Sequence, residues 1–125
     1  MATISPTITD LSINGDRSVI LVQWNHLNNA NNVGAAIAFV EYADHSFHIN
    51  GTFNAANVAI EGSNDGGGNY QTLTDPQGNP ISKSSASLEQ AEEIVGLVRP
   101  RIPSPASDTD VTVSAVLRRI NTMRQ

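Results

Sequence analysis

The chain has 125 residues and a formal net charge of −5, and 5% of its residues are aromatic. A chain of this length can bury about two thirds of its unfolded surface, so it can form a core without a metal or a disulfide. It contains no cysteine, which excludes disulfides, thiolate zinc sites and a thiol nucleophile. The acidic balance argues against a general nucleic-acid binder, and we expect no nucleic-acid partner.

The sequence shows no targeting or membrane-spanning segment. MATISPTITD has neither a basic start nor an apolar run, and no stretch reaches the roughly 20 apolar residues that cross a bilayer. We therefore expect a protein that is made in the cytoplasm and has no membrane partner. Five of the seven basic residues lie in the last quarter of the chain, which predicts a local basic patch: Arg99, Arg101, Arg118, Arg119 and Arg124.

The first two predicted strands, Arg17–Leu27 and Gly34–Ala43, follow the turn at Asn14–Asp16 and carry apolar residues on both faces. A strand that is buried on both faces needs a cover besides the opposite sheet. That cover is either a helix with the long loops or a second subunit. In the second case Trp24 is the expected interface anchor; in the first it is a core residue.

Later segments alternate apolar and polar residues, which predicts half-buried strands at Ser46–Phe53, Asn57–Glu61 and Thr109–Ile120. The last of these places four apolar side chains on one face: Val111, Val113, Ala115 and Leu117. Asp75–Gly78 reads Asp-Pro-Gln-Gly, which predicts a type I turn because proline presets φ at its second position.

One helix is predicted after Ser87. Ser87 and Gln90 have the spacing of a capping box, and Gly96 is a suitable stop. Two or three helical turns fit between them. Their narrow apolar stripe would consist of Leu88, Ala91 and Ile94 or Val95.

The segment that follows this helix contains Pro100, Pro103 and Pro105, so it is expected at a sheet edge or in a crossing connection. Short turns favour antiparallel pairing. The predicted fold is therefore one all-β domain over residues 1–125, with one short helix and short arms at residues 1–10 and 121–125. Its architecture is an antiparallel two-sheet sandwich of the jelly-roll or Greek-key type, with a small closed barrel as the alternative.

The sequence gives little indication of a catalytic or metal-binding site. His45 and His48 fall on opposite faces of one strand, and His26 has no carboxylate close in sequence. Ser63 lacks the glycine two positions later that a nucleophile elbow requires, because Asp65 stands there. We predict no catalytic, cofactor-binding or metal-binding residue, no cofactor, and a protein that is not an enzyme.

The glycine-rich stretch after Ser63 has three possible interpretations: a phosphate loop, a calcium site or a plain turn. Gly66–Gly68 precede neither a helix nor a lysine, which argues against a phosphate loop. Asn64, Asp65 and Asn69 supply oxygen atoms for calcium but match no calcium-loop spacing. The reading that we favour is a plain turn, in which glycines supply positive φ and Asp and Asn side chains bond the backbone.

The series FHINGTFNAANVAIEGSNDGGGNYQTLTDPQGNPIS, then LVRPRI and VTVSAVLRR, resembles the head decoration, or cement, proteins of tailed bacteriophages. The resemblance covers Phe47–Arg119, and the extra glycine within Gly66–Gly68 departs from the pattern. It implies a non-enzymatic virion protein that binds the major capsid protein on the outer capsid surface and stabilises the head. It further implies a homodimer or homotrimer.

A second resemblance is shorter. The pattern V-x-I-x-x-S-x-D-G that starts at Val58 is also similar to strands of discoidin-like sandwich domains. That resemblance implies a carbohydrate-binding module, which could sit on a virion head or tail. Such modules expose aromatic platforms on loops, and Tyr70 is the aromatic residue at a predicted loop edge.

Overall fold

The structure is a computed structural model that describes residues 3–38, 42, 44–93 and 95–119. Within these residues the chain forms twelve strands in two sheets. The strands are β1 Thr3–Ile4, β2 Thr7–Asp10, β3 Val19–Asn28, β4 Val33–Gly34, β5 Ile37–Ala38, β6 Asp44–Thr52, β7 Val58–Ser63, β8 Gln71–Thr72, β9 Ser82–Lys83, β10 Ser87–Gln90, β11 Leu97–Arg101 and β12 Asp110–Arg118.

The two sheets are open and face each other. The seven-stranded sheet has the order β1-β4-β11-β7-β8, with β5 beside β11 and β9 beside β7; the five-stranded sheet has the order β10-β6-β12-β3-β2. Counting β4 with β5 and β8 with β9 as interrupted strands, β3 to β12 make eight strands. These pair first with eighth, second with seventh, third with sixth and fourth with fifth, all antiparallel. This ribbon of four pairs is a jelly roll, so the predicted sandwich class is confirmed.

Burial confirms the predicted inward side chains of β6, β7 and β12, but β7 is buried on both faces and is not the half-buried strand that the alternation predicted. Phe47 and Ile49 of β6 are fully buried, as are Val58 and Ile60 of β7. The four predicted inward side chains of β12 are also fully buried: Val111, Val113, Ala115 and Leu117. The inner faces of both sheets therefore form one apolar core.

Trp24 belongs to this core. It is fully buried, and its Nε1 donates a hydrogen bond to the Ala35 backbone oxygen at 2.9 Å. Gly34 lies against it, so close that an added Cβ would be 2.5 Å from Trp24 Cδ1. The outer face of β3, which includes Val19 and Leu21, is half-buried. The reading of Trp24 as an interface anchor is therefore wrong, because the monomer already encloses its ring.

The predicted strand at residues 34–43 is interrupted in its described part. Its described part contains the end of β4 and the two residues of β5, separated by Ala35 and Ala36. The remainder, apart from Tyr42, lies outside the described residues.

The predicted helix after Ser87 is wrong. Ser87–Gln90 is β10, which pairs with β6 so that Ser87 lies opposite Ile49. Leu88, the first residue of the expected apolar stripe, is 69% exposed. The edge of β6 offers backbone partners to this segment, and that pairing outweighs a local helix preference of a few tenths of a kcal/mol, at most about 1 kcal/mol per residue. Among the described residues, no helix has the length and apolar character that crossing a bilayer requires.

The expectation that the proline-rich segment lies at a sheet edge or in a crossing connection is wrong for Pro100. This residue lies within β11, between β7 on one side and β4 with β5 on the other. Its partner Ile60 bonds Ile81 and Leu73 through its own N–H and C=O, so these groups point away from β11. The ring nitrogen of Pro100 therefore faces the break between β4 and β5. No neighbouring strand requires a backbone N–H from β11 at that position.

The two expected arms differ. Residues 3–10 contribute β1 to one sheet and β2 to the other, with β1 parallel to β4 and β2 antiparallel to β3. The described N-terminal residues are therefore part of the sandwich. Residues 121–125 lie outside the described residues, so the C-terminal arm stays a prediction.

Candidate functional surface

A charged cluster lies on the outer face of the seven-stranded sheet. Glu61 of β7 is paired with Arg99 of β11, and Arg101 lies two residues further along the same strand. Side chains alternate along a strand, so the neighbouring Val98 and Pro100 are buried on the inner face while the charged residues point outward. We call Glu61, Arg99, Arg101 and Tyr70 the Glu61 cluster.

The cluster is closely bonded. Arg99 Nε lies 3.0 Å from Glu61 Oε1, and Arg101 Nη1 lies 3.3 Å from Glu61 Oε2. The Glu61 side chain is only 8% exposed, so each carboxylate oxygen is balanced by its own guanidinium in a poorly solvated place. The Arg99 guanidinium carbon also lies 3.7 Å from the centre of the Tyr70 ring, which is cation–π contact. These contacts fix the positions of both arginines.

The Glu61 cluster carries a surplus of positive charge. Two guanidinium groups face one carboxylate, which leaves one positive charge on a chain whose net charge is −5. A guanidinium carries five N–H donors, and each arginine gives one to Glu61. The Arg101 side chain is 40% exposed. Its further donors are therefore accessible from solvent.

The glycine-rich turn carries Tyr70 to this cluster. The Asp65 carboxylate accepts hydrogen bonds from the Asn69 side-chain amide at 2.9 Å, the Asn69 backbone N–H at 3.0 Å and the Ser63 hydroxyl at 2.8 Å. These bonds, the Asn69 side chain first, hold the pKa of Asp65 well below its ordinary value. Gly66 and Gly67 have φ of 75° and 94°, the left-handed region that favours glycine.

These contacts support the plain turn over the other readings. The Ser63 hydroxyl, besides bonding Asp65, accepts the Gly67 N–H at 3.0 Å, so it stabilises the turn. Asn64 Oδ1 accepts the Gly96 N–H at 2.9 Å, so this oxygen is directed to the chain itself. In the described part of the chain, no three His, Cys, Asp or Glu side chains gather as metal ligands would. The absence of a metal and of catalysis stays a prediction.

The three histidines do not meet. His45 is buried on the inner face of β6, where burial lowers its pKa, and His48 is exposed on the opposite face. His26 has a partner that the sequence did not indicate, since its Nδ1 lies 3.1 Å from Asp110 Oδ1 across the β3–β12 pair. Both side chains are more than half exposed, so this pair adds little stability.

A cleft of about 410 Å³ opens beside the glycine-rich turn. Asn64, Asn69 and Gln71 line it with amide groups, and Leu73 contributes an apolar wall. Glu93, on the same cleft, accepts the Thr74 backbone N–H at 2.8 Å and is bonded to the Thr74 hydroxyl as well. The cleft therefore has the mixed amide and apolar lining that can hold a small polar ligand.

Comparisons with known proteins bear on the fold. No family model and no curated protein sequence matches the chain. Among solved structures, the crystal structure of the SPBc2 prophage-derived protein YomS is similar, with a TM-score of 0.58 and 13% sequence identity. The match covers 79% of this chain and 93% of that one. The chain shares its fold with a prophage-derived protein.

Proposed function

We propose that the protein is a structural component of a bacteriophage virion, and specifically a decoration protein that binds the major capsid protein on the outer surface of the head. The observation that carries this proposal is the jelly roll shared with a prophage-derived protein. Jelly rolls are frequent in viral capsid proteins and in lectins, and a prophage relative of the fold favours the first group. The resemblance of Phe47–Arg119 to cement proteins supplies the finer assignment.

In this proposal the protein is non-enzymatic, self-associates as a dimer or trimer, and resides on the capsid surface. We assign the Glu61 cluster as the contact with the capsid. Its surplus guanidinium charge is complementary to acidic residues on a capsid surface. If the protein binds a symmetric capsid as an oligomer, several weak contacts form at once, and their combined avidity exceeds the affinity of each contact.

Capsids prepared without the protein test the proposal. Purified protein should sediment with such capsids up to a fixed stoichiometry and should raise the temperature at which they release DNA. Arg101→Gln should weaken this binding, because it removes one exposed charge of the Glu61 cluster. Arg17→Gln, at an exposed arginine in the β2–β3 turn, is the matched control. Removal of residues 121–125 should weaken capsid binding more than it lowers the melting temperature.

Two results would contradict the assignment. Sedimentation with purified tails but not with capsids would place the protein elsewhere on the virion. Equal capsid binding by wild type and Arg101→Gln would remove the Glu61 cluster from the contact.

The amide-lined cleft favours a second candidate, a carbohydrate-binding module on the virion. Amide side chains beside apolar surface are the groups that sugar hydroxyls and ring faces require. Calorimetric titration with polysaccharide from the host surface tests this candidate. Binding that is lost in Gln71→Ala, in a protein that does not bind capsids, would establish it over decoration.

A further inference from the structure

Among the residues that the structure describes, β2 is an open edge of the five-stranded sheet. It pairs with β3 on one side, and all four of its residues are exposed. Among the described residues, five large hydrophobic side chains are exposed, and three of them lie on β2 or just after it: Ile8 at 46%, Leu11 at 47% and Ile13 at 101%. Apolar exposure is therefore concentrated along one sheet edge.

The backbone of β2 presents hydrogen-bonding groups to this edge. The Leu11 N–H donates to the Val19 oxygen at 2.8 Å, which makes Leu11 a bonded partner of β3. Bonded and non-bonded positions alternate along an antiparallel pair, so Thr9 also faces β3. Ile8 and Asp10 must then direct their N–H and C=O groups away from the sheet.

Within the described part of the chain, this edge is protected only at its ends. Natural edge strands are usually blunted by lysine, proline or charge. Here Pro6 precedes β2 and Asp10 ends it, and neither lysine nor proline lies between them. Only Thr7–Thr9 therefore lack such protection. A stretch of three residues can form one short, specific strand pairing.

We propose that β2 pairs antiparallel with β2 of a second copy of this chain, about a two-fold axis at Ile8, so that two five-stranded sheets join. Around this axis the two Ile8 residues exchange both N–H···O bonds. Pro6 lies opposite Asp10 of the second copy, where the Pro6 carbonyl accepts the Asp10 N–H. Proline has no N–H to give in return, so the Asp10 carbonyl remains in solvent at each end of the pairing. The inference concerns the self-association named above and does not depend on capsid binding.

A second copy is the partner because β2 is complementary to itself in this arrangement. Pairing about Ile8 brings two exposed apolar side chains together on one face of the joined sheet. Pairing about Thr9 would instead set Ile8 against the Asp10 carboxylate, which is bonded to the Ser12 N–H at 2.9 Å and to its hydroxyl. A two-fold pair also closes on itself, so it yields a dimer and no fibre.

Light scattering over a concentration series tests the pairing. Wild type should be a dimer, and Ile8→Pro should be a monomer, because proline removes an N–H that the isolated chain does not use for β3. Leu88→Lys, at the exposed residue of the opposite edge strand β10, is the matched control and should remain a dimer. A wild-type monomer, a trimer, or a dimer that persists in Ile8→Pro would overturn the proposal.

A cross-linking experiment stays decisive if Ile8→Pro fails to fold. The chain lacks cysteine, so Ile8→Cys introduces one thiol per copy. Opposed residues in a bonded antiparallel pair have Cα atoms about 5.5 Å apart, within disulfide reach. Mild oxidation should convert Ile8→Cys into a covalent dimer and leave Leu88→Cys unlinked. Equal cross-linking of both variants, or none at Ile8, would overturn the proposal whatever the capsid assay shows.

Discussion

Glu61 shows how one polar residue can be buried in a small sandwich. Its carboxylate is almost enclosed, yet each oxygen has a guanidinium partner. Removing one member of such a group leaves the other charges without a partner, which costs more than the pair contributes by itself. The residue therefore matters to stability as well as to the charge of the outer face.

We expect Glu61→Ala to lower the free energy of unfolding by about 2 kcal/mol, since both arginines lose their anion while remaining partly solvated. Urea denaturation measures the change. Glu89→Ala, which removes a more exposed partner of Lys83, is the matched control and should cost less than about 1 kcal/mol. Equal costs for the two variants would mean that the arginines are solvated without Glu61.

The Glu61 cluster was only partly predictable from sequence. A basic patch in the last quarter was predicted, but the pairing of Glu61 with arginines about 40 positions later was not. A signal existed, because Glu61 interrupts an apolar strand and Arg99 and Arg101 alternate with Val98 and Pro100. Alternation identifies an outer face, but only strand order shows that two outer faces are neighbours.

Among the elements, the connection between β7 and β8 is held by its own side chains. Asp65 bonds Ser63 and both nitrogen groups of Asn69, so the turn is held in shape by its own residues. Arg99 stacks on the Tyr70 ring at the end of this turn. The turn therefore helps to position the Glu61 cluster.

We expect Asp65→Ala to lower the melting temperature at pH 7, because the turn loses its central acceptor. The folded pKa of Asp65 lies below the unfolded value of about 4, so this contribution is complete above that value and is lost as pH falls below it. The difference from wild type should accordingly shrink in acid. Asp65→Asn, which keeps one oxygen acceptor, should fall between the two.

Calcium should leave the melting temperatures of wild type and Asp65→Ala unchanged, because the Asp65 oxygens already accept hydrogen bonds within the turn. A rise in wild type that is absent from Asp65→Ala would mean that the turn binds the ion.

The errors at element scale share one cause. The capping-box spacing at Ser87 and the ring of Pro100 are local signals, whereas pairing with β6 and the break between β4 and β5 are long-range. In the structure, the Ser87 hydroxyl donates to the Ser85 oxygen at 2.8 Å instead of capping a helix. Strands with clear alternation, such as β12, were predicted correctly because the apolar–polar pattern of their own residues determines which face is buried.

At the scale of the whole molecule, the first and last strands of the jelly roll are neighbours. The Gln23 side chain of β3 donates to the Ser114 hydroxyl of β12 across 91 positions of sequence. Such pairing requires the ends of the ribbon to meet before most bonds form, which imposes a large loop-closure entropy. Sequence patterns predicted the two-layer class, but this order of strands depends on those distant contacts.

We expect refolding on the millisecond-to-second scale or slower, as in other sandwiches with distant pairings. Stopped-flow fluorescence of Trp24, the single tryptophan, reports closure of the core because its ring is fully buried. A brief unfolding pulse before refolding removes phases from proline isomerisation, which takes tens of seconds. Complete recovery of the signal within microseconds would contradict the prediction.

The fifth strand of the jelly roll, which consists of β8 and β9, is interrupted by a turn that can accept insertions. β8 and β9 both pair with β7, although the turn that starts at Asp75 lies between them. The Gly78 N–H donates to the Asp75 oxygen at 2.9 Å, and Pro76, Gln77 and Gly78 are all exposed. The sheet therefore fixes where this excursion begins and ends but not its length. Related proteins could gain new surface here by insertion, and an engineer could graft a displayed peptide without redesigning the sandwich.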